Sequence, residues 1–155
     1  MKKNRPERKS SRVYPVTDAI QAYLEVRKTY DAVHRHVSRK LDQWGLSIPK
    51  YGVMMRLYDH GELYLTELSN LIFRGNSNIT TLVTRLERDG LVERCNGEDR
   101  RVKKIRLTPK GRILIPKVIA EYRAFLHRMM GKNLSAKEQK TLMRLLEKVQ
   151  KSMVA

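Results

Sequence analysis

The stretch from Ser77 to Arg88 carries side chains that could read DNA. Its apolar residues recur at spacings of three and four, which predicts one buried stripe of a helix. The opposite face then presents hydroxyl, amide and guanidinium groups, which recognise base edges in the major groove. A generic polar helix face would carry more Glu and Lys. The predicted DNA-contacting residues of this helix are Ser77, Asn78, Thr80, Thr81, Thr84, Arg85 and Arg88.

A second stretch with suitable chemistry reads CNGEDRRVKKIRLT, from Cys95 to Thr108. Asn-Gly between two strand-like runs predicts a β-hairpin. Its charges could simply pair with one another in solvent, or its arginines could form a basic finger that enters the minor groove of DNA. On the second interpretation an acid beside an arginine holds the guanidinium in one orientation. The predicted contacts of this hairpin are Asp99, Arg100, Arg101 and Lys103, with Lys104 and Arg106 following the phosphates.

The overall charge favours such a partner. The 155 residues include 33 Lys and Arg against 16 acids, a formal net charge of +17. A positive field attracts a polyanion. The partner we expect first is nucleic acid, and the second candidate is an anionic membrane surface. No apolar run reaches membrane-spanning length and the first residues lack an apolar signal core, so we expect a soluble, cytoplasmic protein without a membrane partner. The lone Cys95 cannot form an internal disulfide, and such residues are more often small apolar groups than redox sensors.

The elements that would position these residues follow from capping and periodicity. A long helix from Thr17 carries one apolar stripe and ends at Gly45. Ser47 with Pro49 begins a shorter helix that Gly61 ends, and Thr66 is the expected cap of the next one. The DNA-reading helix then closes at a glycine, and strands Leu91 to Asn96 and Val102 to Leu107 form the hairpin. Helix, turn, helix and hairpin in this order predict a winged helix.

Two further helices complete the chain. Thr108-Pro109 begins one that contains Pro116, a residue expected to kink it, and a capping box from Ser135 to Glu138 begins the other. These helices and the long first helix carry more apolar surface than a small winged helix can cover. We therefore expect a second copy of the chain to cover it, the alternative being packing within one chain.

The predicted fold class is mainly α with a small β-hairpin: a winged helix-turn-helix domain plus long N- and C-terminal dimerisation helices. Residues 1–14 form a flexible basic tail, which could serve solubility or add phosphate contacts. Residues 15–155 form a single domain. Within it, 46–108 are the winged helix-turn-helix, and 16–45 and 109–155 are the dimerisation helices.

From Leu46 to Gly111 the sequence resembles the MarR family of bacterial transcription regulators. The motifs that carry the resemblance are Thr66-Glu67-Leu68, the run from Asn78 to Glu87, Asp89-Gly90-Leu91-Val92-Glu93-Arg94, and Asp99-Arg100-Arg101 followed by Ile105, Leu107-Thr108 and Gly111.

The resemblance implies a homodimer on a pseudo-palindromic operator of double-stranded DNA, with each recognition helix in the major groove and each wing in the minor groove. By the same resemblance Arg101 is the wing arginine and Asp99 braces it. Thr81 stands where many members have an arginine, so the operator sequence does not transfer.

The family often responds to small phenolic or other anionic effectors held between the dimerisation helices and the winged helix. The residues that could line such a pocket are Tyr30, His34, Tyr51, Met54 and Tyr58, although side chains of this kind more often belong to the core. His34 and His36 face different sides of a helix and are poor partners for one metal ion. No phosphate loop, nucleophile elbow or paired-carboxylate motif is found, so we expect neither enzyme activity nor a cofactor.

The function predicted from the sequence is sequence-specific DNA binding by a homodimeric transcription regulator, in particular a ligand-responsive repressor. The alternative is a nucleoid or architectural protein that binds DNA without sequence choice. A third class is an interaction module whose basic surface meets acidic protein or lipid.

Overall fold

A computed structural model of the protein describes residues 17–72, 79–97 and 103–153. In these three ranges the helices and strands follow in the order α1 (Asp18–Asp42), α2 (Ile48–His60), β1 (Leu63–Tyr64), α3 (Leu65–Leu71), α4 (Ile79–Arg88), β2 (Val92–Asn96), β3 (Lys103–Leu107), α5 (Pro109–Gly131) and α6 (Ala136–Lys151). The structure is therefore mainly helical with a small antiparallel sheet, as the sequence predicts. The predicted basic tail, residues 1–14, lies outside the described ranges.

The chain divides into two compact units between His36 and Val37, within α1. In the N-terminal unit, Glu25 accepts hydrogen bonds from Gln21 and Lys28 at 2.7 and 2.8 Å. The rings of Tyr30 and His34, one turn apart, have centroids 5.6 Å apart. These contacts all lie between residues three or four apart, which is the spacing that brings side chains together on one helix face.

The helices of the second unit begin where the sequence predicts. The hydroxyl groups of Ser47, Thr108 and Ser135 each accept a hydrogen bond from a backbone N–H in the first turn of α2, α5 and α6. Glu138 also reaches back to the N–H of Ser135, which completes the predicted capping box. Each such cap satisfies an otherwise unpaired donor and contributes about 1 kcal/mol.

One predicted cap is wrong. Thr66 lies inside α3, which begins at Leu65 after Tyr64. The carboxylate of Glu67 accepts the backbone N–H of Tyr64 at 2.7 Å, so the capping contact comes from the glutamate rather than from the threonine.

The sheet has one strand more than the predicted hairpin. β2 and β3 pair as expected, with Arg94 opposite Ile105 and Val92 opposite Leu107. β1 adds a third strand, in the order β1-β3-β2, with Leu63 opposite Ile105. A strand of two residues is too short to show an alternating pattern, so the sequence did not reveal it. β3 is the central strand and pairs with a neighbour on each side. It leads the chain from the hairpin tip to α5.

The core of the second unit lies between the sheet, α2, α4 and α5. Met54, Val83, Ile105 and Ile115 come from these four elements, and each is at most 1% exposed. Burial of each large side chain contributes about 2 kcal/mol. The predicted inward stripe of α4 is confirmed, because Ile79, Val83 and Leu86 are buried and Leu82 is half-buried.

The last two helices expose apolar side chains. On α6, Leu145 and Val149 are about half exposed, and no residue of that helix is buried. α5 is one helix through Pro116. In the described part of the chain, every helix is too short or too polar to span a lipid bilayer.

Candidate nucleic-acid interface

The predicted DNA-contacting residues of α4 share one exposed face. Thr80, Thr81, Thr84, Arg85 and Arg88 are all exposed, while the apolar stripe of the same helix packs into the core. Ser77 and Asn78 precede the helix and lie outside the described residues. The exposed groups are hydroxyls, methyls and guanidinium groups, which suit the major-groove edges of base pairs.

A set of polar contacts holds the end of α4 against neighbouring helices. The ammonium group of Lys50 in α2 donates to the Asp89 carboxylate at 2.6 Å, and that of Lys110 in α5 donates to the Asp89 carbonyl at 3.0 Å. Lys50 and Asp89 keep 16% and 31% of their side-chain surface exposed, so this pair is better shielded than an ordinary surface pair. The hydrogen bond from Lys50 lowers the pKa of Asp89 below its usual value.

The turn after α4 also touches the first turn of α5. The hydroxyl of Thr108 donates to the Gly90 carbonyl at 2.7 Å, and the Thr108 N–H donates to the Leu91 carbonyl at 3.1 Å. We call residues Asp89–Leu91 and Thr108–Gly111 the α4–α5 junction. A turn after α4 is possible here because Gly90 has a φ of +70°, a conformation that favours glycine.

At Gly111 the backbone of α5 comes very close to the backbone of the turn after α4. A Cβ atom on this residue would lie 2.2 Å from the carbonyl oxygen of Leu91. Only glycine therefore permits the backbones of α5 and of the turn after α4 to approach this closely. The orientation of the α4 face is tied to α5 through direct backbone contact.

The predicted wing is described only in part. Its stem, β2 and β3, brings Lys103 opposite Asn96, and the Lys103 ammonium group donates to the side-chain oxygen of Asn96. Lys103 is exposed, as a DNA contact requires. The tip residues Asp99, Arg100 and Arg101 lie outside the described ranges, so their predicted roles stay predictions.

Two cations of the stem, Lys104 and Arg106, have partners within the sheet. Arg106 donates to Glu93 at 2.7 Å and to Glu62 at 3.3 Å, and these two carboxylates raise its pKa. Lys104 lies over the ring of Tyr64, 5.0 Å from its centroid. These Arg106 pairs are more than one-third exposed and contribute little to stability, so the predicted phosphate contact of Arg106 stays a prediction.

A further ion pair joins α4 to the stem. Arg94 of β2 donates to Glu87 of α4 at 3.2 Å. Both side chains are more than one-third exposed, so the pair contributes little to stability. Its role is geometric, because it connects the end of α4 with the strand that leads to the wing tip.

Cys95 lies in β2 and is half-buried. Its thiol donates to the Lys104 carbonyl at 3.6 Å, and burial raises the pKa of the thiol. A raised pKa leaves less of the reactive thiolate, which agrees with a packing role for this residue.

The residues predicted to line an effector pocket have different environments. Met54 is fully buried and Tyr51 is 7% exposed, with the Tyr51 ring centroid 4.9 Å from that of Tyr122. Burial raises the pKa of Tyr51. Tyr58, in the same helix, is 48% exposed, and Tyr30 and His34 contact each other in the N-terminal unit. Tyr51 and Met54 thus serve the core, and ligand binding stays a prediction.

The described residues contain no group of three or more potential metal ligands.

Comparisons with known proteins agree on one family. The family model described as MarR matches residues 46–103. A transcriptional repressor of Pseudomonas putida, IacR, is 31% identical over 116 residues, which cover 74% of this chain and 69% of that protein. An uncharacterised regulator of Bacillus subtilis, YsmB, is 33% identical over 90 residues, and the match spans 57% of this chain but only 62% of that relative. A crystal structure of an E. coli MarR variant complexed with operator DNA has a TM-score of 0.73 at 23% identity, covering 85% of this chain and 95% of that one, and has the same fold.

Proposed function

This chain belongs to the MarR family of transcription regulators, and on that premise we propose that it binds double-stranded DNA as a homodimer and represses transcription in response to a small ligand. The observation that carries the proposal is the exposed face of α4, where threonines and arginines project opposite a largely buried apolar stripe. The E. coli MarR structure was solved with operator DNA, which supports DNA as the partner.

In the proposed complex α4 enters the major groove. Thr80, Thr81, Thr84, Arg85 and Arg88 would face the bases or the flanking phosphates, and Ser77 and Asn78 would extend this surface. The wing tip would enter the adjacent minor groove, whose negative potential attracts arginine. There Arg101 would be the reader, with Asp99 as its brace and Arg100 and Lys103 beside it.

The proposed dimer uses the long N-terminal helix, residues 16–45, and the helices of residues 109–155. The half-exposed apolar residues of α6 support this, because a monomer would leave them in water. Burial of that surface against a second copy would add about 25 cal/mol for each Å² of apolar area. Sedimentation at micromolar concentration tests the dimer, and a stable monomer would contradict it.

Repression is supported by the IacR relative, whose name describes a repressor. An effector held near Tyr58 would act on α2, whose Lys50 contacts Asp89 at the end of α4. Of the other predicted lining residues, Tyr51 and Met54 serve the core, and a ligand contact of Tyr30 and His34 stays a prediction. A regulator of this kind would work in the cytoplasm, and nothing in the proposal requires catalysis or a cofactor.

Competition binding at moderate salt tests the function. We expect the chain to prefer the DNA upstream of its own gene over random DNA by about a thousandfold or more. The double variant Thr84→Ala/Arg85→Ala should lose most of this preference. The matched control Thr29→Ala/Arg35→Ala removes the same two side-chain types from exposed positions of α1 and should keep it. If random DNA competes equally well with the wild type, the protein is a non-specific DNA-binding protein instead.

A further inference from the structure

Much of the positive charge lies outside the reading surface. Residues 109–155 carry 11 Lys and Arg but only 3 acids. Of those acids, Glu121 pairs with Lys40 at 2.8 Å and Glu138 is occupied in the capping box of α6. The third acid, Glu147, lies on α6 three residues after Arg144 and forms no ion pair within the described residues. The two C-terminal helices therefore hold close to half of the net charge of +17.

Five of these cations form one stripe along α6. At 100° for each residue, Lys137, Lys140, Arg144, Lys148 and Lys151 fall on one face of the helix. All five are exposed, and in the described part of the chain no acid forms an ion pair with any of them. We call this set the α6 basic stripe.

The surface beside the stripe is concave. A shallow depression of about 370 Å³ is lined by Ala136, Thr141 and the first three cations of the stripe. The hydroxyl of Thr141 donates to the Lys137 carbonyl at 3.0 Å, so it lies down on the helix and leaves the depression open. A rod-shaped anion could therefore contact several ammonium groups at once.

The apolar residues of α6 lie on the opposite face. Leu142, Leu145, Val149 and Met153 are spaced at three and four and point about 150° away from the basic stripe. When a second copy covers these apolar residues, the stripe faces outward. A membrane-surface helix would instead bury its apolar face in the lipid, which would turn this stripe away from the headgroups.

We propose that the α6 basic stripe binds the phosphate backbone of a second DNA segment, independently of its sequence. The five cations span 15 residues, whose 14 helical steps cover roughly 21 Å. One strand of a duplex presents about six phosphates over that length. The inference rests on the proposed function, because it assumes that α4 holds the first DNA segment.

The stripe begins near the end of α5 that is distant from the α4–α5 junction. α5 begins at the α4–α5 junction and has 23 residues, so its other end lies roughly 34 Å away. α6 follows that end after the Lys132–Ser135 connection. In the proposal the stripe therefore addresses another duplex or a distant segment of the same molecule. The regulator would then bridge two stretches of DNA.

A capture experiment tests this. The full-length protein is loaded on bead-bound duplex that carries the DNA upstream of its own gene, and a labelled random duplex is then added at increasing salt. With five phosphate contacts, the affinity for the second duplex should fall about 500-fold between 50 and 200 mM salt. The triple variant Lys137→Gln/Lys140→Gln/Arg144→Gln should capture the second duplex weakly at 50 mM salt, with a fall of only about 12-fold over the same range.

The matched control is Arg27→Gln/Arg35→Gln/Arg39→Gln, which removes three exposed arginines from α1 and changes the net charge equally. This control should capture the second duplex as the wild type does. Equal capture by the stripe variant and the wild type would overturn the proposal.

Two further readouts separate the other outcomes. If the stripe binds anionic phosphatidylglycerol vesicles but not the second duplex, the partner is a membrane surface and the proposal is wrong. If the wild type does not load on the first duplex, only the proposed function is contradicted. The stripe is then tested separately, by titrating the wild type and the stripe variant with random duplex. An unchanged affinity and salt dependence in that titration would overturn it.

Discussion

Replacing Gly111 with alanine tests whether the α4–α5 junction depends on direct backbone contact. The added Cβ would lie 2.2 Å from the Leu91 carbonyl oxygen, roughly 1 Å closer than ordinary van der Waals contact allows. The obstacle is backbone, so no side-chain rotation relieves it. The turn after α4 must move away from α5, or α5 must shift its first turn.

The expected cost follows from the contacts at this site. Overpacking of a tight site costs about 1 to 3 kcal/mol. Displacement would also weaken the two hydrogen bonds from Thr108 to the turn, each contributing about 1 kcal/mol. Against this, alanine is favoured over glycine in a helix by about 0.5 to 1 kcal/mol. We expect Gly111→Ala to lower the free energy of unfolding by about 2 to 4 kcal/mol.

The assay is urea unfolding at one fixed protomer concentration, since association would make stability depend on concentration. The matched control is Gly52→Ala in α2, where the added Cβ meets no atom within 4 Å. That control should raise stability by about 0.5 to 1 kcal/mol. If both variants are equally stable or more stable than the wild type, the close approach at Gly111 does not constrain the junction.

Three other changes test separate parts of the molecule. Asp89→Asn should lower stability by about 1 kcal/mol at pH 7, because it removes the charged partner of Lys50. The folded-state pKa of Asp89 is depressed, so the difference from wild type should shrink as the pH falls from the ordinary aspartate pKa through the folded-state pKa. Urea titrations that show a constant difference over this range would refute the pairing. Arg101→Ala should weaken operator binding by about 1 to 3 kcal/mol in a gel-shift titration, and unchanged affinity would remove its role as the wing reader. Leu145→Glu places a charge on the exposed apolar face of α6 and should yield monomers in sedimentation, whereas an intact dimer would show that α6 does not form the interface.

Local chemistry determined most of the fold. Ser47, Thr108 and Ser135 cap their helices as predicted, because a capping bond joins residues only three apart. The face of α4 was likewise predictable, since the apolar period decides which side packs inward and leaves Thr84 and Arg85 exposed. The pairing of β2 with β3 follows from two alternating runs around Asn-Gly. The family resemblance is confirmed by the match to the MarR model over residues 46–103.

Only the tertiary structure decided which charged groups pair with one another and which stay free to contact a partner. Lys50 and Asp89 are 39 residues apart and Glu62 and Arg106 are 44 apart, so no local pattern indicates that they pair. The need for glycine at position 111 arises from Leu91, which only packing brings close. The sequence by itself identified the polar face that would meet DNA. Its orientation through the α4–α5 junction, and the separate outward stripe of α6, depend on contacts and exposure that exist only once the helices have packed.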